Sequence, residues 1–247
     1  MRIYGFHAVL ARLRHSPESI NELYVDQDRD DPRMRELVKL ATDLGVRAMS
    51  ADANRLDRLC PKRRHQGVVA IVEAAVPTLT LEDLLAGIDG PALLLVLDGV
   101  TDPRNLGACL RVADGAGCHG VIAPKDHSCL LTEVAIQTAS GAAESVPYVM
   151  VTNLARALDT LQENRVWTVG AADEATESIY EIEVPQSVAW VLGAEGTGLR
   201  RLTRDRCDLL ASIPMAGQVS SLNVSVAAGI VLYETVRQRA AAGSPAS

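Results

Sequence analysis

Residues 92–97 read Ala-Leu-Leu-Leu-Val-Leu, an apolar run with no polar side chain in it. Successive side chains of a strand point to opposite faces. A strand that is apolar on both faces must be covered on both, which is the condition inside a parallel sheet flanked by helices. The run is far too short to cross a bilayer, which takes about 20 residues in a helix. Strand patterns recur at 120–123, 146–151, 166–171, 188–192 and 209–213, and helical spacing separates most of them, as at 154–161 and 222–239. Such alternation gives a mostly parallel α/β sheet over residues 92–247.

The first third reads as a separate, smaller α/β unit over residues 1–74. Phe6, Val9, Leu10 and Leu13 have helical spacing. Pro32 opens a second helix through Met34, Leu37, Val38, Ala41 and Leu44, and Gly45 ends it. Strands are expected at 22–25, 46–49 and 67–72, with a short helix at 54–59. Residues 75–91 form a linker in this reading, with a short helix at 79–86 and a turn-rich stretch after it. Residues 240–247 read as a frayed tail.

The net charge of −7 argues against a nucleic-acid partner, but it is unevenly spread. Residues 1–75 hold 13 Lys+Arg against 11 Asp+Glu, a balance of +2, whereas the remainder holds 11 against 20, or −9. The first unit can therefore meet RNA while the second stays acidic. The opening residues lack the apolar run of a signal peptide, so the reading is a soluble, cytoplasmic chain. Five cysteines without a C-x-x-C pair suit free thiols in a reducing compartment. Cys118-His119 and His127-x-Cys129 match no common zinc spacing, so no metal is expected.

Ligands of open α/β sheets collect beyond the carboxyl ends of the strands, and three such ends carry unusual residues. Segment 97–111 runs from a strand into a helix whose core face is Leu106, Cys109, Leu110 and Ala113. Arg104 and Arg111, seven residues apart, leave that helix on nearly the same side. They suit a phosphate or a developing oxyanion, or else form a solvated helix face. Segment 190–201 holds Gly193, Glu195, Gly196 and Gly198. Glu195 would repel a pyrophosphate and the glycines do not fit G-x-G-x-x-G, so the loop suits a ligand with hydroxyls, amines or a cation, or is a plain strand-to-helix turn. Segment 213–229 offers Ser220 or Ser221 as a cap for the last helix, with Asn223 and Ser225 as further polar residues at an apolar helix start.

Together these segments resemble the signature motifs of the SpoU (TrmH-like) branch of the SPOUT methyltransferases. The motif residues are Asn105, Gly107 and Arg111, then Gly193, Glu195 and Gly196, then Ile213-Pro214-Met215 with Ser221-Leu222-Asn223-Val224-Ser225. Gly5-Phe6-His7-Ala8-Val9 and His65-Gln66-Gly67-Val68 are similar to landmarks of the family's L30e-like substrate-binding domain. Within the family, stretches 98–103 and 141–147 match best the members that act on bacterial 23S ribosomal RNA.

The resemblance implies a trefoil-knotted, mostly parallel α/β SPOUT domain preceded by a small L30e-like α/β domain. It implies transfer of a methyl group from S-adenosylmethionine to the ribose 2′-hydroxyl of a guanosine in 23S ribosomal RNA. Gly193, Gly196, Ile213, Met215 and Leu222 would hold the cofactor, and Asn105, Arg111, Glu195, Ser221 and Asn223 would form the catalytic site. The family assigns activation of the hydroxyl to the arginine matching Arg111. A guanidinium is a poor base at neutral pH, so we read Arg111 as a phosphate anchor and stabiliser of the alkoxide. Arg104, Arg200 and the run Lys62-Arg63-Arg64 are the candidate RNA contacts. A homodimer through the knotted domain is implied, joined at the last helix, whose Val224, Val226, Ile230, Val231 and Leu232 spread around its axis while Ala227, Ala228 and Gly229 allow close approach. A transfer-RNA methyltransferase would share all three motifs. A silent RNA-binding relative would not need Asn105, Arg111, Glu195 and Asn223 intact.

Overall fold

The computed structural model describes residues 2–60, 65–73, 79–219 and 221–243. The first unit contains β1 (Arg2–Tyr4), α1 (Phe6–His15), β2 (Ile20–Asp26), α2 (Pro32–Asp43), β3 (Ala48–Ala51), α3 (Ala53–Leu59) and β4 (Val68–Val72). Its four-stranded sheet has the order β1-β4-β2-β3, with β2 and β3 parallel and β4 antiparallel to both its neighbours. The strand expected at 46–49 lies two residues later. Gly45 N–H donates to Thr42 O and Val46 N–H to Ala41 O, so these residues close α2 instead of pairing.

The second unit comprises α4 (Leu81–Ala86), β5 (Leu93–Asp98), α5 (Pro103–Gly115), β6 (Gly120–Pro124), α6 (Glu133–Ala139), α7 (Ala142–Ser145) and β7 (Tyr148–Val151). It continues with α8 (Leu154–Glu163), β8 (Trp167–Ala171), β9 (Val188–Gly193), α9 (Arg201–Arg204), β10 (Leu209–Ala211) and α10 (Val224–Gly243). The sheet order is β10-β8-β9-β5-β6-β7, with every pairing parallel. Alternate residues of β5 enter two separate cores. Leu93, Leu95 and Leu97 pack with residues of α5 and α10, while Leu94 and Val96 pack with residues of α4 and α8. This is the two-sided cover that the apolar run demands. Trp190 of β9 is wholly buried and donates its indole N–H to Thr235 Oγ1 of α10 at 2.8 Å. Among the described residues no helix is long and apolar enough to cross a membrane.

Helix starts follow local chemistry. Asp102 accepts from Arg104 N–H at 2.6 Å, with Pro103 in the first turn of α5. Thr80 and Asp83 form a capping box on α4, whose Leu81 and Leu84 are buried in the second unit. The helix inside the expected linker thus packs as part of the larger sheet. The strand expected at 146–151 begins only at Tyr148, because Val146 N–H closes α7 on Ala142 O and Pro147 has no N–H to give.

The two units pack directly on each other. Ile136 of α6 is buried in the core of the first unit, and α1 lies against α7. Arg12 Nε of α1 sits 2.8 Å from Glu144 Oε2 of α7, with side-chain exposures of only 6% and 7%.

Candidate active site

Beyond the carboxyl ends of β5 and β9 the chain turns toward opposite edges of the sheet, since β6 and β7 lie on one side of β5 and β9, β8 and β10 on the other. Asp98 and Gly193, the last residues of these two strands, are register partners. Segment 194–200 folds back at once, with Gly198 N–H donating to Ala194 O at 2.9 Å. A Cβ on Gly193 would lie 2.0 Å from the carbonyl carbon of Gly198, so only glycine allows the return. Gly107 is needed for a different reason: its Cβ would lie 2.4 Å from Ala135 O, which makes this motif residue the contact of α5 with α6.

Three polar residues from distant segments meet here. Asn105 Nδ2 donates to Glu195 Oε1 at 3.0 Å, and Asn223 Nδ2 donates to Asn105 Oδ1 at 3.0 Å and also to Glu195 Oε1. Asn223 has a second task. Its Oδ1 accepts the N–H and the hydroxyl of Ser225 at 2.9 and 2.6 Å, so it caps α10. This corrects the expected serine cap. Ser221 lines the adjacent cleft, and Ser220 lies outside the described residues.

That cleft has a volume of about 340 Å³, at the lower end of the range for small-molecule sites. All five residues expected to hold the cofactor, Gly193, Gly196, Ile213, Met215 and Leu222, line it, together with Glu195 and Ser221. Its far wall was not anticipated from the sequence: Ala171 ends β8, Ala172, Asp173 and Glu174 follow it, and Arg204 comes from α9. The rule that ligands gather at carboxyl ends of strands would have found them at 171–174. Glu174 pairs with Arg204, and its carboxyl is held below the ordinary range, first by its own backbone N–H and then by that arginine. Asp173, Glu174 and Glu195 around a backbone-lined cleft suit a ligand with cationic and hydroxyl groups and disfavour a phosphate. This donor set fits S-adenosylmethionine. A larger groove of about 900 Å³ beside the edge strand β7 holds none of the expected site residues.

Arg111 is not brought into the Asn105–Glu195–Asn223 cluster. Six residues beyond Asn105 on α5, it stands about 9 Å further along the axis and roughly 120° around it. It is exposed and makes no hydrogen bond or ion pair among the described residues, and the side chain of Arg104 is likewise free. Arg200 is engaged: its guanidinium and backbone N–H both bind the buried carboxylate of Asp98. The run Lys62-Arg63-Arg64 lies outside the described residues. Burial, with Glu195 nearby, pushes the Cys109 thiol up to about 12, and burial does the same to Cys118. Among the described residues no three His, Cys, Asp or Glu side chains are grouped to hold a metal ion.

Fold and site define a cofactor-binding α/β protein with its cleft beyond the carboxyl ends of β8, β9 and β10, beside the switch point of a parallel sheet. The SpoU rRNA Methylase family model matches residues 92–233, and the model described as RNA 2′-O ribose methyltransferase substrate binding matches residues 2–77. The chain belongs to the SpoU rRNA methylase family. It is 58% identical over 237 residues to the 23S rRNA (guanosine-2′-O-)-methyltransferase RlmB of Ralstonia nicotianae, covering 96% of this chain and 95% of that one. Among solved structures, the SpoU methyltransferase AviRb from Streptomyces viridochromogenes in complex with AdoMet is similar at a TM-score of 0.81 and 27% identity, over 98% of this chain and 91% of that one. The A. aeolicus TrmH/SpoU tRNA modifying enzyme matches less of it, with a TM-score of 0.56 and 26% identity over 66% of this chain and 82% of its own.

Proposed function

We infer that this chain transfers the methyl group of S-adenosylmethionine to the ribose 2′-hydroxyl of a guanosine in 23S ribosomal RNA, in the cytoplasm. The observation that carries the reading is the meeting of Asn105, Glu195 and Asn223 at the lip of a carboxylate-lined cleft. Near full-length similarity to RlmB favours ribosomal over transfer RNA, because the tRNA-modifying relative matches only two thirds of the chain.

When bound, the cofactor supplies a methyl group on a cationic sulfur. The chain's own task is alignment, since in-line displacement needs the ribose oxygen directly behind the methyl carbon. Gly193, Gly196, Ile213, Met215 and Leu222 hold the cofactor. Asn105, Glu195, Ser221 and Asn223 shape the ribose side of the cleft. Arg111 holds a phosphate and stabilises the developing alkoxide, while Arg104 and Lys62-Arg63-Arg64 contact RNA. The first domain, residues 1–74, grips the substrate in an L30e-like manner. The catalytic domain takes in α4 as well as residues 92–247. A trefoil knot is part of the same reading, as the resemblance to the SPOUT methyltransferases implies. Mapping 2′-O-methyl groups in cells lacking the protein tests the reading: loss of one guanosine mark from 23S RNA is expected, and a loss confined to transfer RNA would refute it.

A homodimer completes the site in this reading. Ala228, Val231 and Leu232 of α10 are buried within the chain, yet Val226 and Tyr233 remain 49% and 51% exposed, with half-buried Ile230 between them. Spaced at i, i+4 and i+7, these three make an apolar stripe on one face. A second subunit on that face would also give the free Arg111 a site to serve. Light scattering at low micromolar concentration should give twice the chain mass, and Tyr233→Glu should shift it to the monomer. A fully active monomer would contradict the interface.

A further inference from the structure

Asp98 closes β5, the strand at the centre of the switch point, and is 1% exposed. A carboxylate buried to that degree demands full pairing, and among the described residues Arg200 alone provides it. Arg200 gives its backbone N–H to Asp98 Oδ2 at 3.0 Å and its Nε to Oδ1 at 2.6 Å, with Nη2 on the same oxygen. Main chain and side chain of residue 200 are thus held together, which fixes its orientation as well as its position.

The partners stand at the two feet of one loop. Gly193 leads into segment 194–200 and is the register partner of Asp98, and Arg200 ends that segment on the Asp98 carboxylate. Asp98 therefore ties down the exit as well as the entry. Between these ties lie Glu195, hydrogen-bonded to Asn105 and Asn223, and the backbone that walls one side of the cleft. Asp98 itself does not line the cleft. Its influence can reach the ligand only through the loop it anchors.

We propose that the Asp98–Arg200 pair is a positioning device that sets the height of the 193–200 loop, and with it both the cofactor cleft and the place of Glu195. This rests on the reading of the cleft as the S-adenosylmethionine site. Arg200 then acts inward, on the loop, and its exposed position beside the cleft is not an RNA contact.

Calorimetry with S-adenosylmethionine, and separately with a 23S RNA fragment, tests this on the full-length wild type, Asp98→Asn, Arg200→Ala and Arg200→Lys. Wild type that binds no S-adenosylmethionine would overturn the functional reading itself. Given wild-type binding, Arg200→Ala should weaken the cofactor by on the order of tenfold or more, as expected for loss of one member of a coupled network, with RNA affinity changed less than about twofold. Arg200→Lys keeps the charge but loses the planar fork, and should weaken the cofactor while sparing RNA. It also serves as the folding-safe variant should Asp98→Asn or Arg200→Ala fail to fold. The double variant Asp98→Asn/Arg200→Ala should be no worse than either single one. The proposal is overturned if Arg200→Ala or Arg200→Lys loses RNA affinity with unchanged cofactor affinity. It is equally overturned if Arg200→Lys lowers only the melting temperature, or leaves cofactor affinity at the wild-type value.

Discussion

Alanine at position 193 is expected to remove S-adenosylmethionine binding below detection, a loss of about 100-fold or more, and to lower the melting temperature. The added methyl would stand 2.0 and 2.2 Å from the carbonyl carbon and oxygen of Gly198 and 2.3 Å from the Leu199 nitrogen. These are backbone atoms and cannot swing aside as a side chain would. The return of the 194–198 loop would have to open, and that loop is a wall of the cleft. Overpacking in a filled interior costs about 1–3 kcal/mol, and here the displaced atoms belong to the ligand site. Gly196→Ala is the contrasting case. Its Cβ meets nothing within 4 Å, but φ is +79°, so it should cost about 1–2 kcal/mol of backbone strain and weaken the cofactor far less. Isothermal titration of both variants against wild type checks the pair. Equal affinities for Gly193→Ala and wild type would mean the cofactor does not lie against this loop.

Arg111→Ala should lower turnover by about 10²–10³, the usual effect of deleting one donor to a developing oxyanion. Folding and cofactor affinity should stay near wild type, because the side chain is exposed and makes no hydrogen bond or ion pair among the described residues that its loss would break. Arg111→Lys should also lose most of the activity, since an ammonium cannot reproduce the bidentate fork. Single-turnover methylation of a 23S RNA fragment separates this from an effect on binding. Near-normal turnover of Arg111→Ala would reduce Arg111 to a surface charge.

The apolar run at 92–97 was enough to read a doubly covered strand, and strand–helix alternation carried the parallel sheet. Helices α6 and α7 went unread, because the segment 133–145 is rich in Ala, Ser and Thr and has no strong apolar period. The sheet edge Arg2–Tyr4 was missed for its length alone. In the site, motif resemblance brought Asn105, Glu195 and Asn223 onto one list. Only the β5–β9 register, the α5 start and the α10 cap put their side chains in hydrogen-bond reach, and no local pattern encodes contacts across 90 or 118 residues. Arg200 read as a phosphate contact because an arginine beside a glycine loop usually faces solvent. The partner it has in the structure, Asp98, looked like the polar end of an apolar strand. The serine cap failed for a similar reason, since Ser221 and Asn223 are both good capping residues and only the start of α10 at Val224 decides between them.

The Arg12–Glu144 contact makes the molecule a ruler. Each side chain is almost fully enclosed where α1 lies against α7, so removing either partner would leave the other charge buried and unpaired, at a cost of about 3–5 kcal/mol. The span from the surface of the first sheet to the cleft is then set by the packing of α1 on α7 and of Ile136 in the first core. An RNA seated on the first unit would present its ribose at one reach, with the entropy of orientation already lost when the protein folded. With the first unit as the proposed RNA grip, such a fixed reach would single out one 2′-hydroxyl among many that are chemically identical.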